Sequence, residues 1–487
     1  MPRFPYTAIG VAAAWACAGS FAQTSNADGS ADVTLPTVKV QADSAKPNWQ
    51  KMREKESRVR AKGAAADEAT LDTSSSQHIT VIDADELNQI NALNTLDVLE
   101  RVPGITVNRT GALDGTIVLR GQNSSGFRVP MFIDGDRFRG RPSFQFMMIS
   151  PSELEQVEVI RGPASVRYGS DGLSGLVNFV SKKPKGTLDE QFRFQGGEAD
   201  MTYRSNGNGL QSSVSVEGAG AGFDVRAYAM GRHSDNYDTP AGEVANSRYT
   251  TSGGGLALGY MPSANQRYEL SYRYGNIRDG ASNATTTDNN TSRRIPLTIH
   301  QVRLGYEGTF DDGPFRRIDA SLYGNAFESM LETNTYTPST STRKRTVSNV
   351  RGPNIVGGRI SFELPDNPYQ LNTSFGVDFA HDHWLGTKAL TETTNTATGA
   401  STSTGFVRNG REMTQSNVGA FVLSEWAATQ RLKLTAGARY DYYLTDTEIA
   451  FLGSEDLRPL FEAARNTKTS ALTGSYVSHP GRSYGRL

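Results

Sequence analysis

Cysteine is nearly missing from this chain: among 487 residues there is one, Cys17. Long apolar runs are missing too. No stretch reaches the roughly 18 apolar residues that a membrane-spanning helix needs, and only 37% of the residues are hydrophobic. Charge of one sign is also lacking, since 50 basic residues meet 51 acidic ones for a formal charge of −1. Each deficit excludes something. Without thiols past position 17 there is no disulfide framework and no thiol chemistry. Without a basic excess, electrostatic capture of nucleic acid has no footing. Without apolar runs, a helical membrane protein is ruled out. Two classes survive: a soluble protein, and a membrane β-barrel, whose alternating strands average to low hydropathy. The 49 glycines and 19 tyrosines favour the second. The length allows two or three domains.

Residues 1–22 read as a secretory leader. Arg3 supplies the positive start, Ile9–Ala18 the apolar centre, and Ser20-Phe21-Ala22 a small-residue cleavage site. Cleavage there starts the mature chain at Gln23 and removes Cys17. A lipoprotein cysteine is the other reading of Cys17, and Trp15 fits that cleavage pattern badly. Residues 23–33 are small and polar and are expected to be disordered. In Thr34–Ala42, Val38 and Val40 alternate with Lys39 and Gln41 behind Pro36. This is a short, isolated strand former. Such a segment suits addition to the sheet edge of a partner, with backbone hydrogen bonds supplying the grip. Residues 43–75 read as a charged, solvated tether, with Lys51–Lys62 its helical candidate.

From Ser76 the texture becomes mixed α/β. A strand is expected at Ile79–Ile82, then a helix capped by Asp83 or Asp85 and running to Ile90. A second helix, Thr95–Val102, is capped by Asn94 and stopped at Pro103-Gly104. Strands follow at Ile105–Val107, Thr116–Leu119 and Met131–Ile133, with a tight turn at Asp134-Gly135. The run from Gln156 to Lys183 organises the rest. Gln156–Ile160 and Leu176–Val180 are strands, and Arg161 to Gly175 is read as irregular because of Pro163, Asp171-Gly172 and its other glycines.

That run resembles the closing segment of the plug domain of TonB-dependent outer-membrane receptors, through Glu158, Val159, Arg161, Gly162, Pro163, Ala164, Ser165, Tyr168, Gly169, Gly175 and Asn178. GITVNRTG, VLRGQ (with Arg120 and Gly121) and MFIDGDRF resemble the same plug. The resemblance implies a plug over residues 76–186 and, before it, a TonB box at Leu35, Pro36, Thr37, Val38, Lys39 and Val40, shown to the periplasmic energy-coupling protein. Arg120 and Arg161 directly follow strands. Either they form ion pairs with carboxylates of a barrel wall, or they are solvated surface arginines.

Residues 187–487 read as antiparallel barrel strands. Tyr268, Leu270, Tyr272 and Tyr274 interleave with Arg267, Glu269, Ser271 and Arg273. Val302, Leu304 and Tyr306 interleave with Gln301, Arg303 and Glu307, and Leu434 to Tyr442 repeat the pattern. Short links at about 219–222, 262–266, 311–315, 365–368 and 428–431 alternate with long polar ones at 234–250, 277–297, 329–353 and 385–412. An outer-membrane barrel sorts its loops this way; a Greek-key sandwich has no reason to. Residues 419–443 also resemble the receptor barrel. About eleven strands are expected, half of the 22 with which such receptors close. The final YVSHPGRSYGRL lacks alternation. It suggests a truncated or frameshifted reading, whose open edges lipid cannot satisfy.

The function these features imply is active uptake of an iron complex across the outer membrane of a Gram-negative bacterium. GSDGLSGLVNFVSKKP resembles the haem and haemoglobin receptors more than the ferric siderophore receptors, which remain the alternative. A passive porin is a second alternative, though it needs neither plug nor box. No His-Glu-x-x-His helix and no thiol nucleophile supports an enzyme. No catalytic residue, resident metal or intrinsic cofactor is expected. The partners are the TonB protein, outer-membrane lipid and an iron complex or haem protein. One cluster, His381-Asp382-His383, places two imidazoles on one strand face at the outer end of Tyr369–Trp384. They are either a solvated strand end or ligands to haem iron.

Overall fold

The computed structural model describes residues 78–448 together with 477–479 and 482–484, all within the compact unit Ala64–Leu487. Positions 91, 93, 110–112, 114, 125–127, 139–145, 147–148, 163, 184–185, 187, 189–190, 246, 282–289, 366, 409–411 and 430–431 are excepted. The leader, the box at Leu35–Val40, the tether and Pro163 therefore lie outside the described residues.

The plug begins with β1 (His78–Asp83) and α1 (Ala84–Ile90). Asp83 caps α1, its Oδ1 accepting the Glu86 amide at 2.9 Å. Helix α2 spans Thr95–Leu99, and Asn94 caps it reciprocally with Asp97, at 3.1 Å in both directions. It stops short of the expected Val102, because Arg101 and Val102 bond three residues back, a tighter turn than a helix makes. Strands β2 (Ile105–Arg109), β3 (Gly115–Leu119) and β4 (Gln122–Asn123) form a small sheet. Strands β5 (Met131–Ile133), β6 (Asp136–Phe138), β7 (Leu154–Arg161) and β8 (Gly175–Ser181) join β1 in a second, ordered β1-β7-β8-β5-β6. All its pairs are antiparallel except β5 with β8. Strand β8 reads as an apolar run broken by Asn178, and β7 buries Glu158 among its valines, because both faces of the two strands are covered. Val157, Val159, Ile160, Leu176, Val177 and Phe179 are fully buried. The segment expected to be irregular holds one helical turn, α3 (Ser165–Tyr168). Glycines on both sides hid it from a periodicity reading.

The wall is one antiparallel sheet. Its strands are β9 (Arg193–Arg204), β10 (Gly209–Gly220), β11 (Phe223–Ser234), β14 (Tyr249–Ser263), β15 (Gln266–Ala281), β16 (Asn290–Thr309), β17 (Arg317–Thr337), β18 (Thr342–Glu363), β19 (Leu371–Asn395), β21 (Glu412–Ala427) and β22 (Lys433–Glu448). Each pairs with the next along the chain. The hairpin β12–β13 (Asp238–Thr239 with Gly242–Glu243) stands apart, and β20 (Ser401–Arg408) pairs only with the upper part of β19. A last hairpin, β23–β24, joins Val477–His479 to Arg482–Tyr484.

The short turns fall where expected. The long links do not: 277–297, 329–353 and 385–412 are largely strand, and β19 runs for 25 residues. A strand crosses hydrocarbon in about 9–11 residues, so the remainder projects as paired ribbon. Those segments are polar because water reaches both faces; their backbone groups are satisfied across the ribbon all the same.

Alternation divides the wall faces. Tyr268, Leu270, Val302, Leu304, Leu322, Val377 and Val418 are exposed on the outer face, while Glu269, Gln301, Arg303 and Asn325 are buried on the inner one. Beside the short turns the outer face carries a row of rings. Phe223, Tyr260, Tyr268 and Tyr306 follow one another with centroids 4.8, 6.4 and 4.8 Å apart, and Phe362 stacks between Phe315 and Phe375. This is the aromatic girdle of a bilayer interface.

Two plug glycines separate steric need from backbone need. A Cβ on Gly175 would lie 2.0 Å from the Ile160 carbonyl oxygen, at φ +132°. At Gly135, φ +81°, the space is open. Gly175→Ala is therefore expected to destabilise the plug by more than about 2 kcal/mol and Gly135→Ala by about 1 kcal/mol. Urea titration of plug protease-resistance in outer membranes measures both.

Candidate functional site: the seam between plug and wall

The turn between β5 and β6 has positive φ at both residues, Asp134 (53°) and Gly135 (81°), which a two-residue hairpin of this hand requires. It is pinned to β8. The Asp134 carboxylate accepts from the Ser181 amide and hydroxyl, both at 2.8 Å, and Asn178 Oδ1 accepts the Gly135 amide at 3.1 Å. Asn178 Nδ2 in turn donates to buried Glu158 at 3.0 Å. The hairpin so held drives Asp136 into the wall. There its carboxylate accepts from Arg303 Nε at 2.7 Å and from the Ser321 hydroxyl. Arg303 Nη1 continues to Glu269 Oε1 at 3.1 Å, and Glu269 Oε2 meets Lys183 Nζ at 2.8 Å. Lys183 belongs to the segment that leaves the plug for the wall. Burial opposes its charge, but Glu269 and Asp134 outweigh this and hold the ammonium above its ordinary range.

A second contact lies at Glu153. Its carboxylate accepts the Ser150 amide at 2.7 Å, takes a bond from the Tyr228 hydroxyl and faces Arg273 Nε at 3.6 Å. Arg273 Nη2 also donates to Ser181 at 2.6 Å. A third is made by α3 and the loop after it. The Arg359 guanidinium lies over the rings of Tyr168 (4.9 Å) and Phe421 (5.1 Å), a cation–π clasp from wall to plug. Ser170 Oγ and Tyr443 Oη are 2.8 Å apart. Apolar side chains complete the seam: wall residues Tyr249, Ile277, Leu297, Ile299 and Phe327 belong to the same buried cluster as the plug core.

Two clefts open at this seam. One, about 370 Å³ with its mouth included, is lined by Asp136, Arg137, Arg167, Tyr323, Asp378 and Asn417 among others. The other includes Glu153, Lys183, Glu269, Arg273, Gln301 and Arg303. The Asp136–Arg303 pair thus contributes a member to each. In the first cleft Arg137 bonds Asp171 at 3.1 Å. Burial opposes its charge, yet Asp171 and its other neighbours keep the guanidinium raised. Behind it Arg439 grips Asp378 with two bonds, at 2.7 and 2.8 Å. The arrangement is a charge-lined closure, with nothing in it that resembles a nucleophile–base pair. Among the described residues no three His, Cys, Asp or Glu are grouped to hold a metal ion.

The arginines singled out from the sequence both lie within the plug. Arg161 ends β7 and donates to the Pro103 carbonyl at 3.1 Å and to Thr80 Oγ1 at 2.8 Å, tying plug elements together. Arg120 sits with Gly121 in the exposed turn after β3, its guanidinium beside Gly162. Two cross-seam contacts have the plug supplying the carboxylate, Asp136 and Glu153, and the wall the arginine, while at the exit from the plug Lys183 supplies the cation to wall Glu269. Tyr168 is buried edge-on to Phe132 at 5.5 Å, and Gly162 and Gly169 both take positive φ around α3. His381 and His383 do share a strand face, but it is the outer one with Val377 and Phe379, whereas Asp378 and Asp382 face inward. His383 Nε2 bonds Glu412 at 3.0 Å and His381 Nδ1 bonds Ser416 at 2.8 Å. A ligand held between plug and wall would not meet them. Asp136, Glu153 and Lys183 were missed, although Asp136 follows a two-residue turn inside a plug motif.

The two parts joined by this seam each match a family model. Residues 72–176 match the TonB-dependent receptor plug domain, and residues 236–476 match the TonB-dependent receptor-like β-barrel. The chain belongs to the TonB-dependent receptors. The vitamin B12 transporter BtuB of Vibrio vulnificus is 37% identical over 105 residues, 21% of this chain and 17% of that one. A ferrioxamine B receptor of Salmonella typhimurium is 29% identical over 181 residues, 36% and 24% of the two chains. A hemin receptor of Yersinia enterocolitica is 25% identical over 238 residues, 46% and 34%. In fold, the copper transporter OprC superposes with a TM-score of 0.62 at 20% identity, over 77% of this chain and 56% of that one. The chain thus spans about half or less of the length of these relatives. Members of the TonB-dependent receptor family are outer-membrane proteins of Gram-negative bacteria, and transport receptors rather than enzymes.

Truncating one member of a buried pair strands the other, at a cost of about 3–5 kcal/mol, while replacing both is far milder. Arg303→Leu and Asp136→Ala, taken singly, are each expected to release the plug at correspondingly lower urea. Asp136→Ala with Arg303→Leu should recover much of the loss. A double-mutant cycle on plug protease-resistance reads the coupling, and strict additivity would remove the pair from the account.

Proposed function

We propose that this chain is the plug and the first part of the wall of a receptor for active uptake of an iron complex, with haem, or haem taken from a haem protein, as its cargo. The observation that carries the receptor reading is the Asp136–Arg303–Glu269–Lys183 seam. A passive pore has no use for a globular domain bonded across its lumen. Cargo identity rests on the GSDGLSGLVNFVSKKP segment and on a hemin receptor among the relatives. A ferric siderophore is the second reading, favoured by the ferrioxamine B receptor. On this reading Leu35–Val40 is shown to the periplasmic TonB protein, which adds it as a strand and pulls. Cargo binding shifts the population of plugs that expose the segment.

Deleting Leu35–Val40 is expected to abolish uptake and leave cargo binding at the cell surface intact, since the segment acts only in coupling. Labelled haem and a panel of ferric siderophores, offered to cells with a receptor of this sequence, read both properties. Surface binding lost together with uptake would contradict the assignment of the segment. Tight binding of a siderophore with none of haem would replace the cargo and leave the receptor reading standing.

A further inference from the structure

The described wall strands carry four histidines, His233, His300, His381 and His383, and all stand on the outer face. Buried, inward-facing residues flank them: Arg232 and Ser234 beside His233, Ile299 and Gln301 beside His300, and Asp382 between the other two. Their depth agrees as well. Counted from the short-turn end of each strand, His233 is ten residues beyond Phe223 and His300 nine before Thr309. His381 and His383 are ten and twelve beyond Leu371. A strand crosses the hydrocarbon in about 9–11 residues. The aromatic row therefore marks one interface, exposed Val302, Leu304, Val377 and Phe379 mark the apolar band, and the imidazoles arrive together at the other. Because short turns are periplasmic in such barrels, that other interface is the outer leaflet.

Each imidazole is held sideways by a neighbouring side chain. His233 Nδ1 meets Thr250 Oγ1 at 2.9 Å, His300 Nδ1 meets Tyr272 Oη at 2.8 Å, His381 Nδ1 meets Ser416 Oγ at 2.8 Å and His383 Nε2 meets Glu412 at 3.0 Å. In exposed His300 and His381 the bond uses Nδ1, which leaves Nε2 for a second partner. The residues opposite on adjacent strands are Leu210 and Thr250 for His233, Tyr274 and Ala326 for His300, Val356 and Ser416 for His381, and Asn354 and Thr414 for His383. Among the described residues the carboxylates beside the belt are Asp235, 3.5 Å from His233, and Glu412, with Asp446 one strand farther, opposite Thr414. The Glu328–Arg351 pair (3.2 Å) and exposed Lys388 stand farther along the ribbons.

We propose that these four histidines form a belt that binds the phosphate-bearing headgroups of outer-leaflet lipid, and does so more tightly when protonated. The belt is continuous with the lipid-facing apolar band, so its occupant is the lipid that covers that band. An imidazolium donates charge-assisted bonds to phosphate oxygens, and histidine gains its charge within the physiological range as pH falls.

The test uses the full chain in a receptor purified from outer membranes, titrated with bisphosphorylated lipid A and with dephosphorylated lipid A. Lipid A is expected to bind at least about fivefold tighter near pH 5.5 than near pH 8, the gain of one interfacial cation. That difference should vanish when all four histidines are replaced by Gln, and for the dephosphorylated lipid. Should the quadruple variant fail to fold, His300→Gln and His381→Gln taken singly must each reduce the difference. Binding independent of pH, unchanged binding in the variants, or displacement of lipid A by equimolar inorganic phosphate would overturn the proposal.

Discussion

A buried carboxylate bonded to a buried guanidinium is the constraint on which the rest of this structure depends. Neither Asp136 nor Arg303 is tolerable alone away from water, so each fixes where the other must be. The plug is shaped to meet that demand. Its β5–β6 turn is locked to β8 through Asp134, Asn178 and Ser181, and the hairpin can then present Asp136 at one point of the wall. The wall answers with a network, in which Arg303 is shared with Glu269, and Glu269 with Lys183 at the exit from the plug. Such a seam adds little net stability over an apolar one. What it supplies is position, together with a closure whose parts are hydrophilic and can be solvated once separated.

The same logic explains the two faces of the wall. Period-two alternation sends one set of side chains to lipid and the other to the plug, so a single strand must satisfy both. Strand β15 does so with Tyr268, Leu270 and Tyr272 outside and Arg267, Glu269 and Arg273 inside. The inner face changes character along its length, from the charged seam to the apolar contacts of Ile277, Leu297 and Ile299 with the plug core. The plug is thus held by charged contacts along one part of the seam and by apolar ones along another.

Much of this was legible beforehand. Alternation at Tyr268–Tyr274 and Val302–Tyr306 located strands and faces, because burial on one side leaves a period-two trace. Caps at Asp83 and Asn94 located helix starts for equally local reasons. The outer ribbons were not legible: their Thr- and Ser-rich composition resembles loop, and only pairing with a neighbour reveals a strand. Nor was the seam. Asp136 and Arg303 are 167 positions apart, and no local rule joins them until both registers are known. Of the two arginines that the plug motifs carry, Arg161 ties β7 to Pro103 and Thr80, and Arg120 stands in the exposed turn after β3. The face of His381 and His383 was available from the sequence, since Val377 and Phe379 share their parity.

If the proposed function holds, the Asp136 contact closes the lumen and the β6 hairpin has to leave the wall for cargo to pass. No cysteine follows Cys17 in the sequence, so a single engineered crosslink between plug and wall can be read against a low background. Asp136→Cys with Ser321→Cys places two thiols where a carboxylate and a hydroxyl now bond. Uptake should be measured in a receptor carrying this pair, oxidised and then reduced. Cargo is expected to bind in both states and to be taken up only after reduction. Undiminished uptake with the crosslink demonstrably closed would contradict it.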